Sequence, residues 1–128
     1  MTTITATVSF TSWDEDPAWG PDAPLPRVAH AKVAFAYTEG IEATSDARLV
    51  LHYTADGTGT AHGFEMVTGT RDGEAGTFVL EHLDRFTAEG VASTTTVVEG
   101  SGTGAFAGLS GSSTHQLGEG TKEWAWSL

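Results

Sequence analysis

Glu65 is a carboxylate in an apolar setting, where a side chain can hold or move a proton near neutral pH. It lies in the segment GFEMVTG, residues 63–69, which alternates like a β-strand and has glycine at both ends. Removing a carboxylate from water disfavours its charged form, so a buried acid is a candidate for acid–base chemistry. The alternative is a structural role, in which Glu65 accepts a hydrogen bond from a buried Tyr, Trp or Arg side chain.

The hairpin that precedes Glu65 predicts which side chains share its face. The sequence TADGT is typical of a type I turn followed by a left-handed glycine, which pairs Leu51 with Ala61. The same register pairs Leu49 with Gly63. Glu65 is then predicted to lie on one face with three further side chains: Leu49, Leu51 and Tyr53.

The next strand, GTFVLEHL, carries a second side chain that can hold a proton, His82. The preceding turn, TRDGE, can close as a two-residue or a three-residue loop, and only the first places Phe78, Leu80 and His82 beside Glu65. We predict the two-residue loop because it buries the larger apolar set and sets His82 opposite Gly63. His82 is then either a second proton carrier beside Glu65 or a structural histidine.

Trp124 and Trp126 lie two residues apart in TKEWAWSL and therefore share one face of the last strand. If that face is the interior, they are its largest apolar surfaces and would stack on a ligand. The alternative is that both indoles seal a subunit interface or cap the core. The predicted ligand-binding side chains are these two and five others: Trp13, Leu49, Leu51, Phe78 and Leu80.

The elements that position these residues are predicted to be β-strands. Thr, Val and Phe recur at alternate positions, and no window of a dozen residues has an apolar stripe at helical spacing. The turns TEGI, TADGT, TRDGE and TAEGV divide the chain into about eight strands joined by hairpins. In the first strand, alternation places four apolar residues on one face: Ile4, Ala6, Val8 and Phe10. An open meander leaves two exposed edges, so we predict a closed antiparallel β-barrel, with a two-sheet sandwich as the alternative.

One irregular stretch, WDEDPAWGPDAPLP at residues 13–26, interrupts this pattern within a single predicted domain of residues 1–128. It holds all four prolines, which together with the acidic residues are expected to keep it out of the sheet. Trp13 and Trp19 have enough apolar area to anchor it on the barrel. Two interpretations stay open: a lid over a cavity, or a surface connection whose tryptophans fill the barrel end.

The motifs predict neither a cofactor nor a metal. GSGTGAFAGLSG has the glycine spacing of a dinucleotide fingerprint, but the segment after it is typical of strand and not of the helix that the fingerprint requires. The five histidines form neither His-x-His nor His-Glu-x-x-His, and the chain has no cysteine and no Gly-x-Ser-x-Gly.

The charge balance excludes two classes of partner. With 6 Lys+Arg against 17 Asp+Glu, the formal net charge of −11 repels nucleic acid and anionic membrane surfaces. The N-terminal MTTITATVSF lacks a basic segment and a long apolar run, so no export signal is expected. Together with the absence of cysteine, this predicts a cytoplasmic protein. Phe64 and Met66 fall on the outer face of their strand and are candidates for a contact in a homo-oligomer.

Four stretches resemble a known bacterial family: SWDEDP, YTEGIEATSDARLVLHYTADG, GFEMVTGTRDGEAGTFVLEH and EGVASTTTVVEGSGTGAFAGLSG. They look like its motifs Trp-x-Glu-x-Pro, Gly-x-Glu-x-Val-x-Gly, Phe-Val-Leu-x-His and Gly-Ser-Gly-Thr-Gly-x-x-x-Gly-Leu-x-Gly, in the family's order. On these motifs the chain resembles domain-of-unknown-function family 3224. One departure falls at Asp84, which stands where the family usually has glycine.

That family is similar in fold to the allene oxide cyclase barrel, shared with plant dirigent proteins and bacterial spirotetronate cyclases. The resemblance implies an eight-stranded barrel whose apolar lumen steers a reactive, largely apolar substrate through ring closure without a cofactor. The chain has no asparagine, so the asparagine and glutamate arrangement of the plant cyclase does not carry over as a set.

Two functions follow as expectations. In the first, the barrel is a cofactor-independent cyclase or isomerase that holds an apolar substrate in a reactive conformation. Glu65 would protonate or polarise an oxygen, with Tyr53 and His82 as donors and Trp124 or Trp126 as a wall. In the second, the same interior stores or senses a small apolar molecule, and Glu65 only fixes its orientation.

Overall fold

The computed structural model describes residues 2–18, 20, 22–117 and 122–128, with Leu117 and Lys122 described by their backbone alone. These residues form strands and no helix. The strands are β1 Thr3–Asp16, β2 Arg27–Thr38, β3 Glu42–Tyr53, β4 Gly59–Arg71, β5 Glu74–Thr87, β6 Gly90–Val97, β7 Thr103–Gly104, β8 Ser112–Leu117 and β9 Lys122–Ser127. Accordingly, the described residues contain no helix that could span a membrane.

The strands form one antiparallel sheet that curls into a nearly closed barrel. Its order is β8-β6-β5-β4-β3-β2-β1-β9, and the two-residue β7 pairs with β5. The ends of the sheet meet where the Ser113 hydroxyl donates to the Ala125 carbonyl oxygen at 3.1 Å. Beside this contact, the backbones of Ser110 and Ser127 exchange two hydrogen bonds of 2.8 Å. The predicted all-β barrel is therefore confirmed.

The turn between β3 and β4 has the predicted geometry. The Thr54 N–H donates to the Thr58 carbonyl oxygen at 2.7 Å, and Gly57 has a φ of +87°. The resulting register pairs Leu51 with Ala61, as predicted. Four side chains that were expected to face inward are buried: Leu49, Leu51, Tyr53 and Glu65.

β4 and β5 are joined by the predicted two-residue loop. Asp72 and Gly73 have φ values of +52° and +82°, both in the left-handed region that a type I′ hairpin turn requires. The register sets His82 opposite Gly63. Three side chains of β5 therefore point inward and are buried: Phe78, Leu80 and His82.

The first strand corrects two predictions. A bulge between Phe10 and Ser12 shifts its pairing with β2, so that Trp13 lies opposite Val33 and β1 continues to Asp16. The irregular stretch therefore begins at residue 17 and not at 13. Phe10, which was expected to face inward, is 62% exposed. It lies directly before the bulge, where the strand bends, and beyond Val8, where the described pairing of β1 with β9 ends. Trp19 lies outside the described residues.

Aromatic side chains fill one end of the barrel. The glycine-rich segment between β6 and β8 places Phe106 inside, where its ring lies 4.9 Å from that of Phe78. The Phe78 ring lies 5.5 Å from Trp126, and Tyr37 lies 5.9 Å from Trp124. Trp124 and Trp126 are 1% and 2% exposed. Both therefore face inward as predicted, and they pack as core where the resemblance implied an apolar lumen.

Candidate acid–base site

Glu65 and His82 meet inside the barrel. Glu65 is completely buried and His82 is 1% exposed. The His82 Nε2 atom lies 2.5 Å from Glu65 Oε1, so the predicted proximity of these two side chains is confirmed. Gly63 lies opposite His82, and a Cβ there would stand 1.9 Å from the Arg48 carbonyl oxygen. The close approach of β3 and β4 therefore requires this glycine, in addition to the space that it leaves for the imidazole.

The second oxygen of Glu65 accepts two hydroxyl hydrogen bonds. The Tyr37 phenol donates to Oε2, and the Ser45 hydroxyl donates to the same atom at 2.6 Å. Burial raises the pKa of Tyr37 well above its ordinary value, and the charge and hydrogen bond of Glu65 raise it further. Tyr37 therefore stays protonated at neutral pH and remains a donor to the carboxylate.

His82 lies between two carboxylates. Its Nδ1 atom is 3.6 Å from Asp84 Oδ1, close enough for charge attraction but too long for a hydrogen bond. The Ser93 hydroxyl donates to the same Asp84 oxygen at 2.5 Å. Burial acts to lower the pKa of His82, but Asp84 and Glu65 outweigh it and raise the pKa to about 9. His82 is therefore an imidazolium at neutral pH, flanked by the carboxylates of Glu65 and Asp84.

Aromatic rings separate this ionic group from water. Phe35 stacks on His82 with ring centroids 5.9 Å apart, and Trp124 lies 6.3 Å from the imidazole on a tilted plane. His115 in turn stacks on Trp124 at 5.6 Å. Charges interact more strongly in such a low-dielectric enclosure than in water.

Several buried donors near the ionic group have no acceptor within the described part of the chain. They are His82 Nδ1, Thr95 Oγ1, Trp124 Nε1 and Trp126 Nε1. Thr95 lies directly opposite His82 across β5 and β6. An unsatisfied buried donor costs about 1–3 kcal/mol. An oxygen of a bound molecule or of water would therefore be stabilised beside these groups.

Tyr53 and Trp13 belong to a different cluster. Tyr53 lies six residues along β3 from Ala47, the partner of Glu65, or about 20 Å at 3.3 Å per residue. The Tyr53 phenol donates to Glu15 at 3.0 Å, and the Trp13 indole N–H donates to the same carboxylate at 3.0 Å. The expectation that Tyr53 donates beside Glu65 is therefore wrong, and Trp13, 40% exposed, does not line the Glu65 site.

Arg27 joins this second cluster to the irregular stretch. Its guanidinium lies 2.7 Å from Glu15 and donates to the carbonyl oxygens of Pro17 and Ala18. Burial, followed by the hydrogen bond and charge of Glu15, raises the pKa of Tyr53 to about 12. These contacts fasten the start of the stretch to the barrel.

The remaining predicted ligand-binding residues are part of the packed interior. Leu80 lies opposite Glu65, and three others are buried on inward faces: Leu49, Leu51 and Phe78. An open cleft of about 570 Å³ lies instead along β1, β2 and β3, lined in part by Asp14, Lys32 and Arg48. Neither Glu65 nor His82 lines this cleft.

Tyr37 and Ser45 are site residues that the sequence reasoning missed. Alternation in VAFAY places Tyr37 on the inward face with Val33 and Phe35, and this signal was available in the sequence. The pairing of Tyr37 with Ala43 could not be predicted from the sequence, because the β2–β3 connection contains Glu39 at a φ of +60°. This conformation is uncommon for a residue other than glycine, so no simple turn type predicted the register.

Comparison with known proteins connects the chain to a family. The family described as "Protein of unknown function (DUF3224)" matches residues 4–126. A crystal structure of a DUF3224 protein of unknown function from Shewanella oneidensis MR-1 is similar, with a TM-score of 0.75 and 23% sequence identity. The similarity covers 98% of this chain and 95% of that one, and it supports the fold. No curated protein matches the chain.

Proposed function

The chain belongs to the DUF3224 family, and we propose that it binds a small, largely apolar, oxygen-bearing molecule and transfers protons as a cofactor-independent cyclase or isomerase. The observation that carries this proposal is the buried contact of 2.5 Å between Glu65 and His82. The likeness to the allene oxide cyclase barrel stays a prediction.

The energetic cost of the Glu65–His82 pair supports a functional role. A buried ion pair is often no more stabilising than apolar residues of similar volume, because both charges lose their hydration. Groups whose proton affinity is strongly perturbed by charge partners are concentrated in functional sites. A carboxylate and an imidazolium in an apolar barrel supply a proton acceptor and a proton donor within one site.

His82 Nδ1 is the atom best placed to deliver a proton. Its partner Asp84 lies 3.6 Å away, so Nδ1–H remains free to donate to a substrate oxygen. Transfer of that proton leaves a neutral imidazole whose Nε2–H still donates to Glu65. A proton released from carbon later in the reaction returns to the imidazole and restores the imidazolium, so an isomerisation or a ring closure needs no net proton.

Binding without chemistry is the second candidate. It is favoured by the buried donors without acceptors, Thr95 Oγ1, Trp124 Nε1 and Trp126 Nε1, because orientation of a ligand oxygen requires nothing more. In both cases the packed interior must rearrange to admit a ligand. The Trp124 ring contacts Phe35, His82 and His115, so its movement is expected to change tryptophan emission.

The first test is a screen of apolar ketones, phenols and hydroxy acids against the wild-type protein. We expect a binder to quench tryptophan emission and to raise the melting temperature. Glu65→Gln should then weaken binding or turnover while the barrel remains folded. Glu74→Gln, an exposed acid of the same strand pair that lies outside the site, is the matched control and should behave as wild type.

The outcomes of this test separate the alternatives. Loss of stability in Glu65→Gln with an unchanged ligand response would assign Glu65 a purely structural role and overturn the proposal. Binding without turnover would favour the second candidate. No response in emission or melting temperature across the screen would overturn ligand binding altogether.

A further inference from the structure

The outer face of β3, β4 and β5 carries a group of exposed apolar side chains. Phe64 is 52% exposed, Met66 50%, Val50 51% and Leu83 52%. Single exposed apolar residues are ordinary, but a contiguous group is typical of an interaction surface. The name outer patch is used here for these four residues together with Arg48, His62 and Glu81.

The strand registers arrange the outer patch in rows across the sheet, with β4 as the central column. One row is Val50, His62 and Leu83; the next is Arg48, Phe64 and Glu81; the third is Asp46, Met66 and Val79. Phe64 therefore has a cation on one side and an anion on the other, and His62 has an apolar residue on each side.

The first two rows of this arrangement are complementary to themselves. A two-fold axis along β4, with two barrels face to face, exchanges β3 of one copy with β5 of the other. Phe64 then packs on Phe64 of the second copy, and Val50 lies over Leu83 of the second copy. The same operation brings Arg48 over Glu81 of the second copy, in an isologous contact. We propose that the outer patch is the interface of a homodimer.

Electrostatics favours this face for self-association. The net charge of −11 makes two copies repel over most of their surface. Three of the six Lys and Arg residues lie on or beside the outer patch, and all three are exposed: Lys32, Arg48 and Arg85. Glu81 already contacts His62 at 3.2 Å, so its carboxylate would be shared between His62 and Arg48 of the second copy.

The shape of the barrel is consistent with the same contact. The sheet is convex on its outer side, so its surface falls away from β4 towards β3 and β5. The compact apolar contacts lie on the central column, at Phe64 and Met66. The long side chains of Arg48 and Glu81 stand on the flanks, where a wider gap must be spanned.

The test is the dissociation constant of the dimer, measured by sedimentation at about 0.15 M salt, where charges more than about 8 Å apart are screened. We expect wild type to dimerise and Phe64→Glu to weaken the dimer by at least about 100-fold, since it buries an unpaired charge at the centre. Phe10→Ser, which removes an aromatic ring that is 62% exposed outside the patch, should leave the constant unchanged.

A charge exchange tests the geometry of the two-fold contact. Arg48→Glu and Glu81→Arg should each weaken the dimer by roughly tenfold, and the double variant should return to within about threefold of wild type. Melting temperatures verify that each variant is folded. Three outcomes would each overturn the proposal. The wild-type protein could stay monomeric at concentrations up to roughly 100 µM, Phe64→Glu could leave the dimer intact, or the double variant could dimerise no better than the single variants.

Discussion

At the residue scale, the Glu65 carboxylate is held in the core because both of its oxygens have donors. Oε1 contacts His82, and Oε2 accepts from Tyr37 and Ser45. Its three donors replace the water that the carboxylate loses on burial. This explains how a sequence that alternates so regularly tolerates a charge on its inward face.

The pKa of His82 predicts how the stability of the protein depends on pH. It is about 9 in the folded protein, against roughly 6.5 in an unfolded chain. The folded state therefore binds the extra proton, so its stabilising effect is complete below about pH 6.5 and is lost as the pH rises through about 9. We expect the free energy of unfolding, measured in urea, to fall over this interval.

Two variants identify the group responsible. His82→Gln should flatten this dependence, whereas His52→Gln, at an exposed position on β3, should keep the wild-type profile. A fall in stability that persists in His82→Gln would show that His82 is not the titrating group.

At the element scale, turn chemistry carried the successful predictions. The left-handed residues in TADGT and TRDGE determined both registers around Glu65, and with them its contact with His82. No turn sequence marks the bulge in β1. The bulge adds one residue to the strand and so reverses the face of each residue after it. Glu15 therefore faces inward towards Arg27 and Tyr53, a cluster that simple alternation did not predict.

Gly63 supplies the prediction at this scale. A methyl group there meets the Arg48 carbonyl oxygen at 1.9 Å and its carbon at 2.9 Å, and these backbone atoms cannot move without separating β3 from β4. We expect Gly63→Ala to cost about 3 kcal/mol or more in the free energy of unfolding. Gly20→Ala, where nothing lies within 4 Å, should stay within about 0.5 kcal/mol of wild type. Equal stability of the two variants would contradict the close approach of the strands.

At the scale of the whole molecule, the barrel could be predicted from the sequence, but its packed interior could not. Alternation shows that Trp124, Trp126 and Phe78 face inward, yet it does not give the volume that remains between them. That volume depends on Phe106, which the glycine-rich segment inserts into the barrel end. The separation of Tyr53 from Glu65 follows from strand length, since six residues of β3 span about 20 Å.

The two buried ionic clusters, Glu65 with His82 and Glu15 with Arg27, therefore act at separate places in one fold. Residues more than about 10 Å apart with no shared partners contribute additively to stability, within about 0.5 kcal/mol. We expect the losses of unfolding free energy caused by Glu65→Gln and Glu15→Gln to add in the double variant, as measured by urea titration at pH 7. Glu65→Gln and His82→Gln should not add, because each removes the same contact, and the double variant should cost about 1–3 kcal/mol less than the sum. Coupling between the distant pair would mean that the barrel transmits strain from one cluster to the other. Additivity of the near pair would mean that the Glu65–His82 contact contributes nothing to folding.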